Sequence, residues 1–159
     1  MKQVKQLNSK IIIPDFLNLF KDGFKTNREK ELLVSFIKEH NKSKNTFYVL
    51  EIENKSVGLI CLKFDNINTN PTLDVEYLFV HKDYRKKSFA CLKNKKISQF
   101  LLDFVIKNIA PKIKSLVNFR YLSIYPDKQN KKLIKYYLYL IPNSLLLHYK
   151  KENWILLKI

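Results

Sequence analysis

Glycine is nearly missing from this chain: only Gly23 and Gly58 occur in 159 residues. Motifs built on several glycines are therefore absent or altered, because other residues rarely accept the backbone conformations such turns demand. Cysteine is equally scarce. Cys61 and Cys91 stand in no metal-like spacing, and three scattered histidines complete no site. No metal is expected, and a reduced, cytoplasmic protein is the plain expectation. No apolar run approaches the ~18 residues that span a bilayer, so no membrane partner is expected. The apolar core of MKQVKQLNSKIIIP is too short for a signal peptide.

Acidic residues run short in one half only. Residues 1–80 hold 12 Lys/Arg against 10 Asp/Glu, whereas residues 81–159 hold 18 against 4, so +14 of the net +16 lies in the second half. An A/T-rich coding bias toward lysine and asparagine accounts for a general excess of Lys but not for this asymmetry. The asymmetry points to an anionic partner: a phosphate-rich cofactor, nucleic acid or a membrane surface.

Apolar residues are plentiful. They make up 46% of the chain and include 11 Phe and 9 Tyr, enough for the core of one domain over residues 1–159. Residues 1–7 read as a short strand, 11–20 and 28–40 as helices, the second with Asn27 as N-cap. TFYVLEIE (46–53) and SVGLICLKF (56–64) read as strands joined by a turn at Asn54-Lys55. DNINTNP reads as a loop before a third strand at 72–80. Ile97, Leu101, Phe104, Val105 and Ile109 form one face of a helix stopped by Pro111. FRYLSIY (119–125) is a strand and 128–140 a helix with Leu133, Ile134, Tyr137 and Leu140 inward. Residues 145–150 and 154–159 read as a hairpin about Glu152-Asn153. The order β-α-α-β-β-β-α-β-α-β-β defines an α/β fold of the α+β type, with a mixed, mostly antiparallel central sheet flanked by helices.

The stretch LDVEYLFVHKDYRKKSFACLKNKKISQFLL (73–102) carries the most chemistry. It runs from an apolar strand through a cationic segment into a helix start, an arrangement that offers backbone N–H groups to a phosphate. Its plainer reading is a solvated charge run. Together with NKKLIKYYLYL (130–140), this stretch resembles the GNAT superfamily of N-acetyltransferases. The resemblance implies a single GNAT-like domain that binds acetyl-CoA between the splayed fourth and fifth strands. In that family a loop of the form R/Q-x-x-G-x-G/A at the start of the next helix holds the pyrophosphate.

Two registers place that loop here. In one, Val80-His81-Lys82-Asp83-Tyr84-Arg85 resembles the lead-in V-x-P-x-Y-R, and Arg85–Ala90 fills the loop. The paired leucines of the family helix then fall on Lys93 and Asn94. In the other, Lys93–Ser98 fills the loop and Leu101-Leu102 take the leucine positions, with residues 86–93 as a lengthened basic loop. The second register accounts better for the buried helix face. By this resemblance Leu78, Phe79, Val80, Arg85, Lys95, Lys96, Ile97 and Ser98 are the cofactor-binding residues of the first motif. In both registers Ser or Lys replaces the glycines.

The match N-x-x-A-I-x-F-Y-x-x-L-G-F implies that Asn130 hydrogen-bonds the cofactor and that Tyr137 protonates the departing CoA thiolate. A phenol with an ordinary pKa near 10 remains protonated for that task at neutral pH. Alternatively, Tyr137 is only a core aromatic. Ile141-Pro142 replaces the family's closing Gly-Phe. Glu76, with Asp74 two residues earlier on the same strand face, corresponds to the general base of several branches; its alternative is an outward carboxylate or a salt-bridge partner. The backbone N–H of Phe79 or Val80 would polarise the thioester carbonyl. Cys91 lacks a visible His partner for an acyl-carrier role.

The implied activity is acyl-CoA-dependent N-acyl transfer, as an acetyl group, to a primary amine by direct attack in a ternary complex. Family branches that are small basic toxins acetylating aminoacyl-tRNA add tRNA as a candidate partner, and the family's frequent dimers add a homodimer. A non-enzymatic nucleic-acid-binding module is the rival class, since lysines interleave with aromatics in KKLIKYYLYL and HYKKENW. A third reading is a degenerate family member with a structural role.

Overall fold

The computed structural model describes residues 1–159 apart from the side chain of Lys128. Strands β1 (Lys2–Leu7), β2 (Thr46–Ile52), β3 (Lys55–Ile67), β4 (Asn70–Val80), β7 (Tyr121–Ile124), β8 (Leu145–Tyr149) and β9 (Glu152–Lys158) form a seven-stranded mixed sheet. Its order is β1-β2-β3-β4-β7-β9-β8. Strands β4 and β7 are parallel, and the pairs β1/β2, β2/β3, β7/β9 and β8/β9 are antiparallel. Helices α1 (Ile13–Leu19) and α2 (Asn27–Asn41) follow β1. Between β4 and α3 (Ile97–Phe104) lies a small hairpin of β5 (Ser88–Phe89) and β6 (Lys95–Lys96). Helix α4 (Ala110–Leu116) precedes β7, and α5 (Lys131–Leu140) follows it. This is the expected α/β class and order, with β5 and β6 added.

The chain divides into two compact units, residues 1–62 with 77–101, and residues 63–76 with 102–159. The core of the first unit gathers Phe16 and Phe20 from α1, Leu33 and Ile37 from α2, and Phe47, Val49, Leu59, Cys61 and Phe79 from the strands. Phe20 meets Phe79 edge-on with ring centroids 5.4 Å apart, an arrangement aromatic quadrupoles favour. In the second unit Leu122, Ile124, Ile134, Leu140, Ile141 and Ile155 are buried.

Several local expectations are corrected. Helix α2 is capped by Thr26, not Asn27: Thr26 Oγ1 accepts from Glu29 N and the Glu29 carboxylate accepts from Thr26 N, a reciprocal capping box. The hairpin turn after β2 is Glu53-Asn54, both at positive φ, rather than Asn54-Lys55. DNINTNP is no loop. Strands β3 and β4 extend through it and meet at Asn68-Thr69, with φ of 47° and 65°, as a two-residue hairpin turn requires. The last hairpin turns at Lys150-Lys151, not Glu152-Asn153.

Helix α1 begins two residues later than expected, and α5 begins at Lys131 after a 3-10 turn at Asp127–Gln129. Pro111 does not stop the helix. A π turn over Val105–Ile109 shifts the hydrogen-bond ladder, and Pro111 stands in the first turn of α4, where its missing N–H costs nothing.

Neither glycine has a positive φ; among the described residues thirteen non-glycine positions do, Asn and Lys prominent among them. The sheet edges differ. β1 carries Lys2 and Lys5, whereas β8 exposes Leu145 and Leu146, 67% and 52% accessible.

Candidate active site

In the first unit, the end of β4 and the start of α3 converge on Gly58. A Cβ there would stand 2.7 Å from Ile97 Cγ2 and 3.0 Å from the Phe79 carbonyl oxygen. The glycine is thus required by close approach, and it seats the first residue of α3 against β3. Ile97, Leu101 and Leu102 are all buried, whereas Lys93 and Asn94 lie outside the helix at φ of 55° and 60°. Residues 86–93, expected as a lengthened basic loop, belong to a folded hairpin that runs on to Lys96. Ser88 pairs with Lys96 and Phe89 with Lys95, and Asn94 N donates to Phe89 O at 2.9 Å.

The residues assigned to the cofactor divide by environment. Phe79 is core, ringed by Phe20, Phe24 and Tyr77. Leu78 and Val80 are half-buried, and so are Lys95 and Ser98, while Lys96 is exposed. Arg85 is built into the fold. Its Nε donates to Val80 O at 2.7 Å, one terminal nitrogen lies 2.8 Å from Glu29 Oε2, and the guanidinium sits 5.6 Å from the Phe79 ring centre. Glu29, the capping-box residue of α2, also receives Lys25 N, and its carbonyl accepts the Tyr77 hydroxyl.

In the second unit, Glu76 accepts from Lys63 Nζ at 3.0 Å, so its carboxylate is ion-paired. Burial draws the Lys63 ammonium down, but Glu76, with Asp65 and Asp74, outweighs it and holds the pKa above the ordinary lysine value. Asp74 is 5% accessible and accepts from Ser123 Oγ at 3.2 Å across the β4–β7 pairing. Burial raises its carboxyl to about 7, against the opposing pull of Lys63 and the Ser123 hydrogen bond. Asn130 caps α5. Its Oδ1 receives the N–H groups of Lys132 and Leu133 at 2.9 and 3.2 Å, which leaves its amide nitrogen as the donor end. Tyr137 lies on α5 beside Tyr136, and burial pushes its phenol up to about 12. It stays protonated across the neutral range and is a weaker acid than free tyrosine.

Sequence reasoning missed Lys63, Glu29 and the titration of Asp74. Lys63 was the nearest to being found, as the first charge after the apolar run of β3. Among the described residues no group of His, Cys, Asp and Glu is arranged to hold a metal, and no helix is long and apolar enough to cross a membrane.

The chemistry of 73–102 fits a diphosphate. Cations and helix-start amides are present, and no carboxylate occurs between Asp83 and Asp103. Strand order and this strand–hairpin–helix passage define an α/β protein with a mixed seven-stranded sheet. The sequence model of the acetyltransferase (GNAT) family matches residues 13–91.

Similar solved structures include AtaTR bound with AcCoA, at 13% identity and TM-score 0.74 over 99% of this chain and 92% of that one. The Campylobacter jejuni N-acetyltransferase PseH is 20% identical, with TM-score 0.57 over 99% and 97%. A probable acetyltransferase from Staphylococcus epidermidis is 14% identical, with TM-score 0.62 over 99% of each chain. PseH has also been solved with acetyl coenzyme A, and the AtaT toxin with the C-terminus of its antitoxin AtaR. No curated protein matches the sequence. The chain belongs to the GNAT acetyltransferase family.

Proposed function

We propose that this protein is an acyl-CoA-dependent N-acyltransferase that moves an acetyl group from acetyl-CoA to a primary amine. The observation that carries this reading is the folded cationic passage from the end of β4 to the buried start of α3 in a chain of this family. The β6–α3 junction at Lys95–Ser98 would receive the pyrophosphate, and Leu78–Val80 would line the pantetheine with backbone groups. Arg85, tied to Glu29 and Val80, shapes that strand end rather than reaching for phosphate. Asn130 would offer its amide nitrogen to the cofactor.

The acceptor amine attacks the thioester carbon, the C–N bond forms and the C–S bond breaks. Glu76, poised by Lys63, takes the proton the amine sheds; the N–H of Phe79 or Val80 stabilises the oxyanion; Tyr137 supplies a proton to the leaving thiolate. The raised phenol pKa keeps Tyr137 protonated at neutral pH and also makes it a weaker proton donor, so the test of its role is turnover.

A second reading concerns the acceptor. The +14 balance of residues 81–159 and the likeness in fold to the AtaT toxin support the amine of an aminoacyl-tRNA. Thermal shift with acetyl-CoA and CoA tests the first reading: the melting temperature should rise with ligand, and no shift with either would sink it. Acetyl transfer to a panel of small amines, peptides and charged tRNA, followed with labelled acetyl-CoA, then names the acceptor.

A further inference from the structure

The hairpin of β8 and β9 carries HYKKENW (148–154), whose rings and charges the chemistry above leaves unused. Its Trp154 is the single tryptophan of the chain. It meets Tyr125 edge-on, with ring centroids 5.0 Å apart and planes at 63°. Tyr125 is exposed and Trp154 half-buried, so the pair presents aromatic surface to solvent. The Tyr125 hydroxyl donates to Glu152 Oε1 at 3.0 Å, which fixes the phenol and brings a carboxylate to its edge.

Sheet register places this pair beside Glu76. Strands β4 and β7 pair through Asp74↔Ser123 and end at Val75↔Ile124, and Ile124 in turn pairs with Ile155 of β9. Glu76 on β4, Tyr125 just past β7 and Trp154 on β9 come next, at one level of the sheet. Asp74 and Ser123 meet at 3.2 Å on one face, and Leu156 is the β9 partner of Ser123. Glu76, Tyr125 and Trp154 stand two residues from these three, and so on the same face. All of them belong to the second unit.

We propose that Tyr125 and Trp154 form the acceptor subsite, and that the acceptor is a primary amine carrying an aromatic ring two carbons from its nitrogen. This rests on the reading that Glu76 is the general base. The acceptor ring packs on Tyr125 and Trp154 in the offset or edge-to-face manner aromatic quadrupoles favour. Its nitrogen then reaches Glu76 one strand away, a step of ~4.8 Å that two carbons span. The amine arrives as an ammonium, which the carboxylates of Glu152 and Glu76 attract. Glu76 takes a proton from it, the freed lone pair attacks the thioester carbon, the C–N bond forms, and the C–S bond breaks to release the thiolate. A single-stranded nucleic acid is the competing occupant, because bases also stack on rings. Glu152 at the Tyr125 hydroxyl opposes a phosphate there, and Lys150 Nζ lies over the Tyr149 ring instead, 5.4 Å from its centre. The arylethylamine skeleton occurs in free amines and in aromatic aminoacyl esters.

Steady-state acetyl transfer to 2-phenylethylamine and to n-hexylamine tests this in the wild type, Tyr125→Leu and Trp154→Leu, with melting temperatures verifying the folds. The wild type should favour 2-phenylethylamine in kcat/KM by about tenfold, and either variant should narrow that ratio to about twofold or less. The change should fall on KM, because the ring is held alike in ground and transition states. In the wild type with CoA, 2-phenylethylamine should also quench Trp154 fluorescence, whereas n-hexylamine should not. Should a variant fail to fold, the wild-type preference and quenching still decide. Equal use of the two amines, or preference without quenching, overturns the proposal and leaves the acyltransferase reading standing. If neither free amine is acetylated, phenylalanyl-tRNA and leucyl-tRNA are compared. Preference for the phenylalanyl group, lost in Trp154→Leu, supports the proposal with an aminoacyl ester as the source; equal transfer, or none while acetyl-CoA still raises the melting temperature, overturns it. No transfer and no thermal shift with acetyl-CoA would sink the acyltransferase reading and the proposal together.

Discussion

Arg85 and Glu29 stand 56 positions apart in the chain, and a single terminal nitrogen of Arg85 reaches both Glu29 oxygens, at 2.8 and 3.0 Å. Glu29 also closes the capping box of α2, and Arg85 also holds the last carbonyl of β4. One ion pair therefore ties a helix N-terminus to a strand end. Arg85→Lys keeps the charge but cannot bond the Val80 carbonyl and Glu29 at once as the guanidinium does, and it should cost about 1–2 kcal/mol. The midpoint of urea unfolding reads this directly; an unchanged midpoint would mean the pair is merely superficial.

Gly58→Ala should destabilise more than a surface substitution. The added methyl meets Ile97 Cγ2 at 2.7 Å, so that side chain must shift, and it crowds the Phe79 carbonyl at 3.0 Å. A cost of about 1–3 kcal/mol is expected, together with weaker CoA binding, since α3 would have to shift. Loss of stability with unaltered CoA affinity would separate the helix start from the ligand.

Asp74 makes stability depend on pH in a defined direction. Its folded pKa, about 7, lies above the ordinary value of 3.8. The folded state therefore binds the proton more tightly, and the stabilisation is complete below pH ~4 and lost as pH rises through ~7. Asp74→Asn keeps an acceptor for Ser123 but cannot ionise. The difference in melting temperature, wild type minus variant, should fall between pH 4 and 7.5, by an amount on the order of a few kcal/mol in free energy. A flat difference would show that Asp74 titrates as in water.

Tyr137→Phe should lower turnover by about 100-fold or more if the phenol protonates the thiolate, with CoA affinity nearly unchanged. Unaltered turnover would leave Tyr137 as a packed aromatic of α5.

Much of the fold was legible because burial imposes periodicity. Ile97, Leu101 and Leu102 announced the buried face of α3, and TFYVLEIE and SVGLICLKF announced β2 and β3. Where side chains point to water that signal vanishes. Asp65 and Asn66 are exposed, so the continuation of β3 looked like a loop. The turn at Lys150-Lys151 was hidden because lysine is not a usual left-handed residue, and the 86–96 hairpin because its strands are two residues each. Pro111 misled through a rule that holds for regular α-helix and not beside a π turn. The sites followed the same division. Asn130 stood out only through the family motif, inside a helix expected from residue 128, and it caps α5 instead; the partners Lys63 and Glu29 come from distant sequence and leave no local mark.

The unequal sheet edges have a consequence for handling the protein. Lysines guard β1, but β8 presents Leu145, Leu146 and a row of open backbone groups, and only the net charge of +16 keeps such edges apart between molecules. That repulsion reaches about 30 Å at 0.01 M salt and about 8 Å at 0.15 M. Concentrated solutions should therefore stay clear in dilute buffer and turn turbid as salt is added, with strand β8 as the point of adhesion.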